Sequence, residues 1–226
     1  MYFQALVRCR ERTKTMTNLK EMEIAQFCGV LGSDAPTPGG GAATGLIGAV
    51  GAALTAMVCS LTLGREKYAA WQESAGEALE RIKELQARYL DAMERDALTY
   101  HKVSDAYKLP KSTPEEQAAR AAAIQRGLEG CTVPPFEMME LAVEALELTR
   151  SLVGKSNPTA VSDLGVAALA LGAAVQAGWL NVLVNIGMLK NRDLAEDYRK
   201  RGEALLDRAL PVAREIYEDV AKALGA

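Results

Sequence analysis

Residues 35–64 carry no charge: APTPGGGAATGLIGAVGAALTAMVCSLTLG, closed by Asp34 on one side and Arg65 on the other. A run this long, uncharged and rich in glycine and alanine has few ways to exist. A helix that is apolar on every side belongs either in the core of a protein or in a bilayer. The run opens with two prolines and three successive glycines. Residues 35–38 read as a loop, and 39–41 as a turn exposing backbone N–H groups. A helix is expected from about Ala42 to about Leu63. A glycine-rich turn feeding a helix N-terminus offers a seat for an anion or a carbonyl oxygen, because the first N–H groups of a helix have no partner within it. The turn is not a Walker A loop, since Leu46 stands where that loop needs lysine. Nor is it a dinucleotide fingerprint, since Thr44 occupies the third glycine position and no strand precedes it.

A second uncharged run, residues 164–189, lies between Asp163 and Lys190. It includes Gln176, Asn181 and Asn185, which are costly in lipid. The remainder of the chain is charged amphipathic helix, which needs a core to pack against. Both runs are therefore read as central helices of a bundle, and no membrane partner is expected. Gly41, Gly45 and Gly48 recur at helical spacing in the first run, so another backbone can approach closely there, across a dimer axis for example.

Around these runs the remaining helices can be placed in order. Asn18 and Glu21 form a near capping box for a short helix to about Cys28, ended by Gly29 or Gly32. A long helix is expected from about Lys67 to Tyr107. Its stripe is Leu79, Ile82, Leu85, Tyr89, Met93, Asp96, Tyr100, Val103 and Tyr107, at the three- and four-residue spacing of one helix face. Leu109-Pro110-Lys111 breaks it. Thr113, Pro114 and Glu116 then supply a cap, a first-position proline and a completed capping box. That helix is expected to reach about Gly130, with a separate one opening at Pro134 and Pro135 and ending near Gly154. Ser156-Asn157-Pro158 reads as a turn, and Ser162 or Asp163 as the cap of the second uncharged helix. The last helix covers about 192–224, with a kink at Pro211. The expected fold is all-α: a single-domain helical bundle of six to eight helices, with two uncharged Gly/Ala-rich helices at its centre. Residues 1–17 are expected to be a poorly ordered N-terminal extension and 18–226 the domain.

Composition narrows the function. The net charge of −3 argues against a nucleic-acid surface. Cys9, Cys28, Cys59 and Cys131 lie far apart with no C-x-x-C pair, which is neither a disulfide framework nor a zinc site. Free buried thiols in a reducing cytoplasm are the simple reading. His101 is the single histidine, so a multi-histidine metal site is excluded.

Several polar residues interrupt apolar or structural patterns. Asp96 faces the core in the long helix; it is either an acid/base or cation-binding carboxylate, or a structural one held by a tyrosine or a helix terminus. Lys111 follows the helix break, as a functional or simply a solvated lysine. Asp163 sits where the helix dipole favours it. Asn181 and Asn185 share one face of the second uncharged helix, for a ligand or for interhelical hydrogen bonds. Asn157 lies in the turn before it. His101 points to a different face from Asp96.

The segment TPGGGAATGLIGAVGAALTAMVCSLTLGREKY resembles the cyclodeaminase/cyclohydrolase family of folate enzymes. AYKLPK (106–111), CTVPP (131–135), SNPTAVSDLGVAA (156–168) and NVLVNI (181–186) fit the same family, in order, from about residue 19 to the end. That family includes the C-terminal domain of formiminotransferase-cyclodeaminase and stand-alone methenyltetrahydrofolate cyclohydrolases. The resemblance implies an enzyme acting on the one-carbon bridge between N5 and N10 of tetrahydrofolate. One reaction hydrolyses the 5,10-methenyl form to the 10-formyl form; the other closes the 5-formimino form and expels ammonia. The lack of a formiminotransferase segment favours the hydrolysis. A non-catalytic folate-binding or structural helical protein is the alternative of another class. The resemblance further implies Asp96, Lys111 and Asp163 as catalytic residues and Gly39, Gly40, Gly41, Asn157, Asn181 and Asn185 as substrate-binding ones. It implies a homodimer, with folate as substrate and no metal or bound cofactor.

Overall fold

A computed structural model describes residues 18–226; the extension expected over residues 1–17 lies outside them. The described residues form six α-helices and no strand: α1 (Ile24–Leu31), α2 (Gly40–Thr62), α3 (Gln72–Tyr107), α4 (Pro114–Ser151), α5 (Val161–Gly187) and α6 (Arg192–Ala223). Short 3-10 turns precede α1, α3 and α5. The all-α bundle expected from the sequence is what the chain adopts.

Both uncharged helices lie in the bundle, packed against each other as α2 and α5. They run antiparallel: Gly40 lies beside Asn181, and Gly51 faces Leu171 and Ala167. At the far end, the Asn157 backbone N–H donates to Thr62 Oγ1 at 2.9 Å. Neither helix is buried all round. Val50 and Met57 on α2, and Val166, Leu169, Leu180 and Val184 on α5, remain 39–64 % exposed, forming one apolar stripe on each. α4 packs against α2, α3, α5 and α6.

The spacing of Gly41, Gly45 and Gly48 is explained within the chain. A Cβ at Gly45 would lie 2.8 Å from Met93 Cβ, and one at Gly48 would lie 2.2 Å from the Tyr89 ring. The backbone of α2 therefore rests directly on the side chains of α3, and these glycines serve that contact rather than a dimer axis. Tyr89 is fully buried and donates its hydroxyl to the Met138 carbonyl at 3.1 Å, so its ring has nowhere to retreat. Buried threonines along the bundle return their hydroxyls to carbonyls four residues back, as Thr62 does to Val58 and Thr132 to Leu128. That gives these two hydroxyl protons acceptors within their own helices.

Besides α1, which starts at Ile24 with Asn18 making no side-chain cap bond, and α2, which starts at Gly40, three boundaries differ from expectation. α3 starts at Gln72, because Glu66–Trp71 is a 3-10 segment with Tyr68 at φ −116°, outside the α region. α5 starts at Val161 with Ala160 at its cap position, and neither Ser162 nor Asp163 caps it. The third difference is larger. α4 is one helix of 38 residues that runs straight through Pro134 and Pro135. A proline removes one N–H and crowds one carbonyl, but the surrounding helices enclose this stretch. Pro134, Pro135, Phe136, Met138 and Met139 are all buried, so tertiary packing outweighs the local break. The capping box of Thr113 and Glu116 forms as expected. α6 likewise continues through Pro211.

The glycine contacts give a paired test. Gly48→Ala should lower stability by about 2 kcal/mol or more, the overpacking cost exceeding the gain in helix propensity. Gly76→Ala, where a Cβ meets nothing within 4 Å, should raise it by about 0.5–1 kcal/mol. Urea unfolding followed by circular dichroism measures both, and equal effects would contradict the packing described.

Candidate active site at the α2 N-terminus

The first turn of α2 is the meeting point of three elements. Gly39 is its cap residue, in extended conformation, and no side chain caps it. The first backbone donor used within the helix is Ala43 N–H, to the Gly39 carbonyl at 3.0 Å. Among the described residues the N–H groups of Gly40, Gly41 and Ala42 are thus the unpaired donors that every helix start presents. The sequence placed this feature correctly, though the helix begins at Gly40 rather than Ala42.

Asp96 on α3 lies directly against this turn. A Cβ at Gly41 would fall 2.2–2.3 Å from its carboxyl atoms, so only glycine allows the carboxyl to sit there. Asn181 on α5 closes the other side. Its amide atoms lie 3.6 and 3.8 Å from where a Cβ on Gly40 would be, and its Nδ2 donates to the Ala177 carbonyl at 2.8 Å. Beneath Asp96, a small apolar cluster of Leu19, Phe27, Ala42, Met93 and Ala97 holds the N-terminal segment against α2 and α3. The loop before α2 is fixed to α3 by Thr37 Oγ1, 2.9 Å from His101 Nε2. His101 thus ties down the approach to the turn.

Burial pushes the Asp96 carboxyl up to about 6. It makes no side-chain hydrogen bond among the described residues. A carboxylate that exchanges protons near neutrality beside unpaired N–H donors is suited to acid–base work. Cys131 on α4 comes close from below. Burial is the main cause that pushes its thiol up, partly offset by the neighbouring Thr99 hydroxyl and reinforced by the Asp96 charge. It is a neutral thiol, not a thiolate nucleophile. Asn185, one turn beyond Asn181, donates its Nδ2 to the Cys131 carbonyl at 2.9 Å.

The structure thus brings together Asp96, Gly39, Gly40, Gly41, Asn181 and Asn185. It does not bring the other three expected residues to them within one chain. Lys111 is exposed in the α3–α4 loop, past the end of a helix that runs about 16 Å beyond Asp96. Its recorded bond is made by its carbonyl, which accepts from Gln117 Nε2 at 3.1 Å. Asp163, in the first turn of α5, and Asn157, just before it, lie at the C-terminal end of α2, about 33 Å along that helix from the glycine turn. Asn157 is buried and occupied structurally. Its Oδ1 accepts from Tyr68 Oη at 2.7 Å and from Thr159 N and Oγ1 at 3.1 and 2.9 Å, and its Nδ2 donates to the Leu61 carbonyl at 3.3 Å. Sequence reasoning gave no role to Cys131 or Thr99. Pro135, four residues beyond Cys131, was the available sign that the Cys131 carbonyl lacks a helical donor.

Among the described residues no group of three His, Cys, Asp or Glu side chains is placed to hold a metal ion.

Comparison with known proteins bears on this arrangement. The family model described as Formiminotransferase-cyclodeaminase matches residues 23–204. The chain is 40 % identical over 197 residues to the methenyltetrahydrofolate cyclohydrolase of Methylorubrum extorquens, covering 87 % of this chain and 95 % of that protein. It is 30 % identical over 192 residues to the formimidoyltransferase-cyclodeaminase of Mus musculus, of which it spans 36 %. The fold matches the crystal structure of formiminotetrahydrofolate cyclodeaminase from Thermotoga maritima, with a TM-score of 0.75 at 25 % identity, over 91 % of this chain and 97 % of that one.

The raised Asp96 carboxyl has a measurable effect on stability. Folded, it keeps its proton up to about pH 6; unfolded, it releases it near 3.8. Folding therefore takes up a proton between those values, and its stability contribution falls as pH rises through that window. Asp96→Asn should accordingly be more stable than the parent above pH 6, by roughly 1–3 kcal/mol, and the two should converge below about pH 4. Denaturant unfolding at pH 4 and pH 7.5 tests the sign; a variant less stable at pH 7.5 would contradict it.

Proposed function

The chain belongs to the formiminotransferase-cyclodeaminase family, and from that premise we propose that it hydrolyses 5,10-methenyltetrahydrofolate to 10-formyltetrahydrofolate. The observation that carries the reading to particular residues is the half-buried Asp96 carboxyl lying against the unpaired first turn of α2. The extent of likeness to the Methylorubrum extorquens cyclohydrolase supports the choice of reaction.

The methenyl carbon is bonded to N5 and N10 and shares their positive charge. Ionised Asp96 stabilises that cation and takes a proton from the attacking water. The resulting tetrahedral carbon carries a hydroxyl. Asp96 returns the proton to N5 as the C–N5 bond breaks, and the hydroxyl loses its own proton as the formyl C=O forms on N10. One water is consumed and one proton released. The N–H groups of Gly40, Gly41 and Ala42 stabilise the developing oxyanion, while Asn181 and Asn185 hold the pterin. In this reading Asp96 carries the proton transfer without Lys111 or Asp163. No metal or bound cofactor takes part.

The second reading, cyclodeaminase, rests on the fold shared with the Thermotoga maritima enzyme. It uses the same cationic carbon, with ammonia rather than hydroxyl as the group exchanged.

A homodimer is part of the proposal. The apolar stripes of α2 and α5 lie side by side, uncharged and uncovered, and a second copy matches them in character. A reducing, cytoplasmic setting agrees with the three free thiols among the described residues, Cys28, Cys59 and Cys131.

Four outcomes are expected. The near-ultraviolet absorbance of methenyltetrahydrofolate should decay faster with protein than without, and Asp96→Asn should reduce the acceleration by at least about a hundredfold. For the parent the rate should fall as pH drops through about 6, where Asp96 becomes protonated. No acceleration, with ammonia released from the 5-formimino form, would select the second reading. In sedimentation the parent should run as a dimer and Leu169→Glu as a monomer; a monomeric parent would remove the dimer from the proposal.

A further inference from the structure

Two consecutive prolines sit inside α4. Neither has an N–H, so the carbonyls four residues earlier, at Gly130 and Cys131, lack their helical donors. The two are treated differently. No side chain among the described residues donates to Gly130. The Cys131 carbonyl accepts from Asn185 Nδ2 on α5, at 2.9 Å.

That bond lies within the candidate site. Asn185 shares a face of α5 with Asn181, which sits beside Gly40. Cys131 lies within the field of Asp96. The bond also fixes which end of the Asn185 amide faces outward. With Nδ2 committed to a carbonyl, Oδ1 is the free end, and it makes no hydrogen bond among the described residues. Beside the second Nδ2 hydrogen, the held amide therefore presents Oδ1 in a fixed direction as an acceptor, suited to an N–H of a reduced pterin or to the O–H of the attacking water.

We infer that Pro135 is a positioning residue: by denying the Cys131 carbonyl its helical donor, it reserves that carbonyl for Asn185 and locks the Asn185 amide with its oxygen toward the substrate. The inference rests on the proposed placement of the site. An alanine at 135 restores the N–H, which then competes for the same carbonyl from within the helix, where the geometry favours it. Asn185 is released to turn its amide, and a donor can face the substrate where an acceptor is needed.

The test compares Pro135→Ala, Pro134→Ala, Asn185→Ala and the double variant P135A/N185A. Hydrogen exchange at residue 135 and steady-state kinetics on methenyltetrahydrofolate are read alongside thermal melts. In Pro135→Ala the new amide should be protected and kcat/KM should fall about tenfold, with no loss of melting temperature. Pro134→Ala should stay within about twofold of the parent, because among the described residues no side chain donates to the Gly130 carbonyl that the new N–H engages. Adding Pro135→Ala to Asn185→Ala should cost nothing more, since the residue it positions is gone. An unprotected amide, full activity in Pro135→Ala, an equal loss in Pro134→Ala, or additive losses in the double variant would each overturn the lock. A parent that accelerates neither folate reaction would sink the functional reading instead. The lock would then be decided by exchange of the Asn185 side-chain amide, which should quicken in Pro135→Ala.

Discussion

The approach of α2 to α3 at backbone distance is the constraint from which the rest follows. Three glycines on one face of α2 leave no room for a side chain, and α3 fills each gap with a group of its own: Tyr89 at Gly48, Met93 at Gly45 and Asp96 at Gly41. The first two contacts are apolar packing. The third places a carboxyl where a helix begins. A larger residue at 41 would push Asp96 aside, and a wider spacing would let water reach and relax it. The burial that raises its proton affinity and the proximity that makes it useful thus have one geometric cause. Glycine inside a helix costs about 1 kcal/mol relative to alanine, and here that cost secures a close contact rather than flexibility.

The helical class, the two uncharged helices, the glycine turn and Asp96 were all legible in the sequence because each is a departure from a local pattern. A charge in an apolar stripe and a charge-free run in a charged chain announce themselves. The long α4 was not legible. Pro134 and Pro135 are a sound local stop signal, overridden by burial on several sides that no local pattern reports. The structural bonds of Asn157 were not legible for a related reason. A polar residue in a turn before an apolar helix reads equally as ligand-binding or structural, and only its four side-chain bonds show that it clasps the ends of α2 and α5 to Tyr68. Lys111 and Asp163 were singled out with Asp96 by motif, while distance along a helix keeps each away from it within the chain.

The charged residues are arranged so that the site is left to a single ionisable carboxyl. Elsewhere four acids of α4 are paired: Glu137 with Arg88 and Arg95, Glu144 with Arg81, Glu147 with Arg208 and Glu140 with Arg201. These are mostly half-exposed pairs of small individual value. Among the described residues Asp96 has no such partner. A nearby arginine would lower its proton affinity and remove the property that makes it a candidate base.

The contact between Gly41 and Asp96 also limits how the sequence can drift. While the carboxyl stays, no residue with a Cβ fits at 41, because the atom would fall inside the carboxyl group. Once the carboxyl is shortened or lost, that space opens and the helix gains by accepting alanine, its better former. The order of change is therefore one-way: a lineage gives up the acid first and the glycine afterwards. Restoring the acid then requires reversing both steps, with the second blocking the first.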